Sequence, residues 1–80
     1  MEKFEISVTQ DNKNHHFEVF DYMHHNGEEG RCKYEVFEHG QFIGGFEPGE
    51  HRHLHICKDP GLVHESLLNL IAKQLERYHI

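Results

Sequence analysis

The sequence predicts an α+β fold, in which a five-stranded antiparallel meander sheet with the strand order 1-2-3-4-5 packs one C-terminal helix on one face. Three observations predict it. Turn-forming residues divide the first sixty positions at short intervals. The segments between these turns alternate apolar and polar side chains, as half-buried strands do. Beyond residue 58 the apolar residues recur with the 3.6-residue period of an amphipathic helix.

Eighty residues suffice for one small domain, so we expect a single domain over residues 1–80. The connectors between the apolar segments are short and rich in Asn, Gly and Pro, which is typical of hairpins between antiparallel neighbours. Asn26-Gly27 is the strongest turn, because both residues tolerate the positive φ of a type I′ turn. The strands are predicted at 3–9, 15–23, 31–38, 41–47 and 51–57, and the helix at 60–78.

The register of the sheet is predicted by pairing residues outward from two-residue loops, which places Val8 opposite Phe17. The predicted loops are Asn12-Lys13, Asn26-Gly27, His39-Gly40 and Pro48-Gly49. Val19 then lies opposite Tyr34, and Ile43 lies between Val36 and Leu54. Every such step joins apolar to apolar, and a slip of one residue would move these side chains to the other face. The predicted core of the sheet is Phe4, Ile6, Val8, Phe17, Val19, Cys32, Tyr34, Val36, Ile43, Leu54 and Ile56.

The C-terminal helix is predicted to cover this apolar face. Asp59 is the expected N-cap, with Pro60 in the first turn, where its missing N–H costs nothing. Gly45 is expected to let the helix approach the sheet closely. The apolar arc of the helix consists of Val63, Leu67, Leu68, Leu70, Ile71, Leu75 and Tyr78.

The opposite face of the sheet is predicted to carry aromatic side chains in place of the polar ones that a solvated face normally shows. Exposed apolar patches of this kind usually mark an interaction surface. A merely tolerated aromatic face is the plain alternative, and a small-ligand groove is disfavoured because ligand sites are concave. We expect a homodimer first, because two-fold dimers are the commonest oligomers. The predicted interaction residues are Phe20, Tyr22, Phe37, Phe42 and Phe46, with His16 beside them.

The predicted fifth strand contains the segment HRHLHIC (51–57), with histidines at every second position. Side chains two residues apart on a strand are about 6.5–7 Å apart and point the same way, so two imidazoles can share an ion. A third ligand is missing, since the expected cross-strand neighbours Phe42, Gly44 and Phe46 cannot ligate. The metal-binding hypothesis, with zinc as the one cofactor considered, therefore includes a site completed across a dimer. Its candidate ligands are His51, His53, His55 and Cys57.

The two cysteines are predicted to point to opposite faces, Cys32 inward and Cys57 outward. A disulfide needs Cα atoms within about 7 Å and converging side chains, so we expect none. Cys57, beside a histidine, is the more reactive thiol of the two. Two unpaired cysteines in a chain whose first residues, MEKFEISVTQ, do not read as an export signal favour a cytoplasmic location.

A catalytic function is the least supported reading of the sequence. Asp21 is predicted to face inward, opposite Cys32, where Arg77, Tyr78 or His79 at the end of the helix could neutralise it. The functional alternative makes Asp21 an acid/base group beside His79. No nucleophile, phosphate-loop or zinc-protease motif occurs, so we assign no catalytic residue and lean against an enzyme.

The charge and the apolar pattern of the chain each argue against one class of partner. Lys and Arg number 8 against 14 Asp and Glu, for a net charge of −6, which disfavours nucleic acid. No apolar run approaches the roughly 18 residues that span a membrane. The sequence therefore predicts a small soluble protein-interaction module that self-associates, or binds another protein, through the aromatic and histidine-lined face. The alternative is a transition-metal (Zn, Ni or Cu) binding protein.

Overall fold

The computed structural model describes residues 2–22, 32–49 and 53–79, and the α+β fold predicted from the sequence is confirmed in them. Five antiparallel strands form one sheet in the order β1-β2-β3-β4-β5, with one helix packed on it. The strands pair with their neighbours in sequence, as the short connectors predicted. The elements are β1 (Glu2–Gln10), β2 (Lys13–Asp21), β3 (Tyr34–Glu38), β4 (Gln41–Pro48), β5 (Leu54–Lys58) and α1 (Glu65–His79).

The first hairpin turns one residue earlier than predicted. Asp11 and Asn12 occupy its two turn positions, with φ values of 53° and 64°, which is the backbone of a tight hairpin turn. Val8 therefore lies opposite His15 and not opposite Phe17. The predicted pairing is wrong by two positions along the strand. Because side chains alternate with period two, a shift of two leaves every residue on its predicted face.

The pairing of β2 with β3 differs from the prediction in the same way. Val19 lies opposite Val36, and Tyr34 lies opposite Asp21. The predicted turn at Asn26-Gly27 lies outside the described residues. The predicted inward direction of these side chains is retained, since all four are buried.

The hairpin between β3 and β4 turns at His39 and Gly40, as predicted, and both residues have positive φ. Next to this turn the predicted pairing holds, but an irregularity follows on β4. Val36 pairs with Gly44, so Ile43 is an extra residue in β4. A bulge of this kind reverses the faces of all later residues on the strand relative to simple alternation.

This reversal moves the side chain of Phe46 from the predicted outer face to the core. Phe46 lies opposite Tyr34 and is fully buried in the core. The prediction that Phe46 belongs to the outer interaction surface is therefore wrong. Gly44 and Gly45 exchange roles for the same reason. A Cβ on Gly44 would meet Leu68 of the helix at 2.9 Å, so Gly44, and not Gly45, lets the helix approach.

The connection from β4 to β5 is longer than the two residues that were expected. Gly49 N, after the end of β4, donates a hydrogen bond to His53 O, before the start of β5 (2.6 Å). Leu54 pairs with Pro48 and not with Ile43. A second irregularity follows, because Phe46 pairs with Ile56 whereas Gly45 pairs with Lys58. Cys57 is thus the extra residue of a bulge in β5.

The helix begins at Glu65, later than predicted. Asp59 does not cap it, because its Oδ1 accepts a hydrogen bond from Gly61 N (2.8 Å) in a local turn. The N-terminal cap is formed by His64, whose Nδ1 accepts a hydrogen bond from Ser66 N (3.1 Å). The described part of the chain contains no helix long and apolar enough to cross a membrane.

The core lies between the helix and one face of the sheet, and most of the predicted core residues are in it. Phe4 and Ile56 are only partly buried at its margin. Of the residues predicted to form the apolar arc of the helix, four are buried in the core and Ala72 is added to them. Val63 and Leu70 are only partly buried against it, and the side chain of Tyr78 lies outside the described structure. The buried cluster comprises Ile6, Val8, Phe17, Val19, Tyr34, Val36, Ile43, Phe46, Leu54, Leu67, Leu68, Ile71, Ala72 and Leu75.

Candidate functional site

The sheet face opposite the helix, here called the outer face, carries a row of three phenylalanines on three adjacent strands. Phe20 and Phe37 meet edge to face, with ring centroids 5.3 Å apart and planes at 71°. Phe37 and Phe42 meet in the same way, at 5.5 Å and 63°. Such contacts are the favoured geometry of aromatic pairs. Each of the three residues is half-buried, and we call them the aromatic row.

Charged and polar side chains flank the aromatic row. Lys3 Nζ lies 5.9 Å from the centroid of the Phe20 ring and 3.1 Å from a carboxylate oxygen of Glu18. On the other side of Phe20, the Tyr22 hydroxyl donates a hydrogen bond to Glu35 (3.1 Å). The row therefore has a positive charge at its β1 side and carboxylates around it, as the rim of an interaction surface does.

Four of the five residues predicted for the interaction surface do lie on the outer face. Phe46 does not, for the reason given above. His16, also predicted there, has its Nδ1 3.0 Å from Ser7 Oγ. Their role in binding stays a prediction. The four residues retained are Phe20, Tyr22, Phe37 and Phe42.

Cys32 and Cys57 form a disulfide, so the expectation that no intrachain disulfide forms is wrong. Their Cα atoms are 6.1 Å apart, within the range that a disulfide requires. Strict alternation fails at both ends of the pair. Lys33 lies in a bend that separates Cys32 from β3, and Cys57 is the extra residue of the β5 bulge. Cys32 is fully buried, whereas Cys57 is partly exposed.

Gly45 makes room for the disulfide. An ideal Cβ on Gly45 would lie 2.5 Å from Cys32 Sγ and 3.0 Å from Cys32 Cβ, closer than real side chains approach. The cysteine therefore occupies the space that any other residue at position 45 would fill. A glycine that the sequence assigned to helix packing instead fixes the position of a sulfur atom.

A carboxylate lies beside the disulfide. Glu47 Oε2 is 3.1 Å from Cys57 Sγ, which carries no proton while the disulfide is intact. In the reduced protein the same oxygen can accept a hydrogen bond from the thiol. Ligand atoms of Cys32, Glu47 and Cys57 lie within 4.8 Å of one another. Among the described residues this is the one cluster of three potential metal ligands, and of the four predicted ligands only Cys57 belongs to it.

The predicted histidine ligands are arranged differently. His51 lies outside the described residues. His53 precedes β5 and has its Nδ1 3.7 Å from a carboxylate oxygen of Glu76 on the helix. His55 is exposed and lies opposite Glu47 in the strand pairing. Neither is in the three-residue cluster, so their metal binding stays a prediction.

Asp21 is a buried carboxylate with a structural partner. Lys33 Nζ donates a hydrogen bond to its Oδ1 (2.6 Å) and lies 4.9 Å from the centroid of the Tyr34 ring. Burial, and then the charge of Asp21, raise the pKa of Tyr34. The prediction that Arg77 of the helix neutralises Asp21 is wrong, because the partner of Asp21 in the described structure is Lys33. The side chains at 78 and 79, which include the histidine of the catalytic alternative, lie outside the described structure.

A groove of about 480 Å³ lies between the β1 edge and the helix. It is lined by Val8, Leu70 and Gln74, with polar side chains around them. Asp21 and the disulfide are not among its lining residues, so it does not supply the pocket that the catalytic alternative needs.

Comparisons of the chain with protein-family models, with curated proteins and with solved structures each found no match. A function for the chain is therefore inferred from the geometry of the outer face.

Proposed function

We propose that the protein is a small interaction module that binds another protein surface through its outer face, and first of all a second copy of itself. The observation that supports this is the aromatic row, which crosses three strands on the face that the helix leaves uncovered. Interfaces are enriched in aromatic residues at their centre and polar ones at their rim. The outer face has this arrangement.

The size of the outer face is adequate for such an interface. Neighbouring strands lie about 4.8 Å apart, so the backbone of a five-stranded sheet is about 19 Å wide before its side chains are counted. The nine residues of β1 extend about 30 Å at about 3.3 Å each. A standard interface takes about 800 Å² from each partner. Most of the outer face would therefore be covered in the complex.

The distribution of charge favours a second copy arranged about a two-fold axis. Lys3 lies on the β1 side of Phe20, and Glu35 lies opposite Phe20 on β3. In a two-fold dimer the same patch meets itself in reverse. A two-fold axis that passes through Phe20 along the strand direction would bring Lys3 of each copy toward Glu35 of the other.

The proposal assigns no catalytic activity, nucleic-acid partner or membrane partner to the chain. The net charge of −6 supports the exclusion of nucleic acid. A cytoplasmic location stays an expectation from the sequence, and the Cys32–Cys57 disulfide removes the unpaired cysteines on which part of that expectation was based. If the chain does not dimerise, its acidic character favours a positively charged protein as the occupant of the outer face.

The test is the solution mass by light scattering of oxidised, tag-free protein and of an oxidised Phe37→Ser/Phe42→Ser variant. We expect a dimer for the wild type and a folded monomer for the variant. Leu62→Ser is the matched control, because Leu62 is an exposed leucine (52%) in the segment between β5 and the helix. It should leave the dimer intact. A monomeric wild type at hundreds of micromolar, or a variant that stays dimeric, would refute self-association through the row.

A further inference from the structure

We propose that Cys32, Cys57 and Glu47 form a binding site for a borderline-soft divalent cation of the Zn²⁺ class, which becomes available when the disulfide is reduced. Thiolates and carboxylates are both established zinc ligands. The three side chains come from separate parts of the chain and meet on the outer face beside Gly45. The site shares Cys57 with the histidine segment of the fifth strand, but it uses none of the histidines.

The distances in the oxidised protein are already close to those of a metal site. Ligands about 2.0–2.3 Å from a tetrahedral ion lie about 3.5–3.8 Å from one another. Glu47 Oε2 is 3.1 Å from Cys57 Sγ, and all three ligand atoms lie within 4.8 Å. With the Cα atoms of the two cysteines 6.1 Å apart, rotation of the side chains is enough to separate the sulfurs to the distance that the ion requires.

The backbone holds the three ligands in place without the disulfide. Gly45 pairs with Lys58, and Glu47 pairs with His55, so the strand ladder fixes both sides of Cys57. Cys32 is fully buried against Gly45. A site whose ligands are positioned before the ion arrives needs little reorganisation to bind it.

Reduction and metal binding can be written as balanced steps. A thiolate from a small-molecule thiol attacks Cys57 Sγ, the more exposed sulfur, and Cys32 leaves as a thiolate. A second thiol attacks the resulting mixed disulfide, forming its own disulfide and releasing Cys57. The two protons from the two thiols end on Cys32 and Cys57. A divalent ion then displaces both protons, binding two thiolates and the Glu47 carboxylate, with water in the fourth position.

The redox state of the surroundings therefore selects between two forms of the site. Cysteine pairs are kept reduced in the cytoplasm, where they more often bind metal or act catalytically than form structural disulfides. In an oxidising compartment the disulfide closes the site. The positive charge of a bound ion would also neutralise the Glu47 carboxylate beside the sulfurs. In the oxidised form neither sulfur carries a proton that could be donated to that carboxylate.

The test is a titration of tag-free, chelator-stripped full chain with Co²⁺, a spectroscopic substitute for Zn²⁺, with and without prior reduction by a phosphine. We expect the reduced protein to bind one equivalent, with a thiolate-to-cobalt charge-transfer band that Zn²⁺ abolishes, and the oxidised protein to show no such band. Cys57→Ser should remove it. Glu47→Gln should weaken binding at least about tenfold.

The matched control is His53→Ala/His55→Ala, which should leave the band and the affinity unchanged. Far-ultraviolet circular dichroism on every sample separates loss of a ligand from loss of the fold. A reduced, folded wild type without the band would refute the site, as would a reduced chain that unfolds and does not regain structure with metal. Loss of cobalt binding in the histidine variant would show that the histidines of the fifth strand, and not the proposed site alone, bind the metal. Because the proposed dimer is tested on oxidised protein, the two proposals fail separately.

Discussion

Loss of the Cys32–Cys57 disulfide should lower the free energy of unfolding by about 3.5 kcal/mol. The bond joins residues separated by 25 positions, and the loop-entropy relation gives about 3.5 kcal/mol at 25 °C for a loop of that length. The loop encloses β3, β4 and most of β5, so in the unfolded chain the bond restricts about a third of the residues. For a domain whose total stability is of order 5–15 kcal/mol, that is a large share.

The assay is urea unfolding of the oxidised protein, the phosphine-reduced protein and a Cys32→Ala/Cys57→Ala variant, with metal chelated throughout. With a urea dependence of about 1–3 kcal/mol per M, a loss of about 3.5 kcal/mol should lower the midpoint by about 1.2–3.5 M on reduction. The urea midpoint of the variant should equal that of the reduced protein and should not change when the reductant is added. Midpoints of oxidised and reduced protein within about 0.2 M of each other would show that the disulfide does not stabilise the fold by this amount.

Two further predictions concern a glycine and a tyrosine. Gly45→Ala should prevent the disulfide, because the new Cβ would displace Cys32 Sγ; thiol titration should then find two free thiols, whereas Gly44→Ala, which meets the end of a flexible leucine side chain, should keep the bond. The same number of free thiols in both variants would contradict this. The raised pKa of Tyr34 means that the folded state holds its proton to higher pH than the unfolded state. Stability should therefore fall as pH rises above about 10. Tyr34→Phe should flatten that fall in urea unfolding at pH 9 to 11, and an equal fall in both proteins would be evidence against it.

The fold and most of the core follow from patterns that the sequence displays directly. Alternation within each segment and short turns between segments are enough to predict a meander, and the change of period after residue 58 predicts the helix. The errors in the predicted pairing of β1, β2 and β3 did not change the face on which each side chain was placed. Each was a shift of two residues, which keeps Val8, Val19 and Val36 on the core face.

The errors that affect the candidate site come from two bulges. Alternation carries no information about an inserted residue, and one insertion reverses every later side chain on its strand. Ile43 in β4 sent Phe46 into the core, and the bulge at Cys57 brought the sulfur within reach of Cys32. The pair Gly44-Gly45 in the middle of a strand was the available signal, because glycine inside a strand often marks a bulge.

The regularly spaced histidines of the sequence lie in different surroundings in the structure. His53 precedes β5 and lies near Glu76 of the helix, whereas His55 lies opposite Glu47 on the outer face. The period of two applies only within a strand, and β5 begins at Leu54. The cysteine and glutamate cluster could not be predicted from spacing, because its members are brought together by pairing across β4 and β5 and by the bend at Lys33.

The aromatic row is proposed as the contact surface of the protein. Phenylalanine ring resonances, followed by NMR over a dilution series of oxidised protein, test it residue by residue with internal controls. The rings of Phe20, Phe37 and Phe42 should shift with concentration, while Phe17 and Phe46, both buried in the core, should not. Shifts confined to other surfaces, or absent at every concentration, would contradict self-association through the outer face.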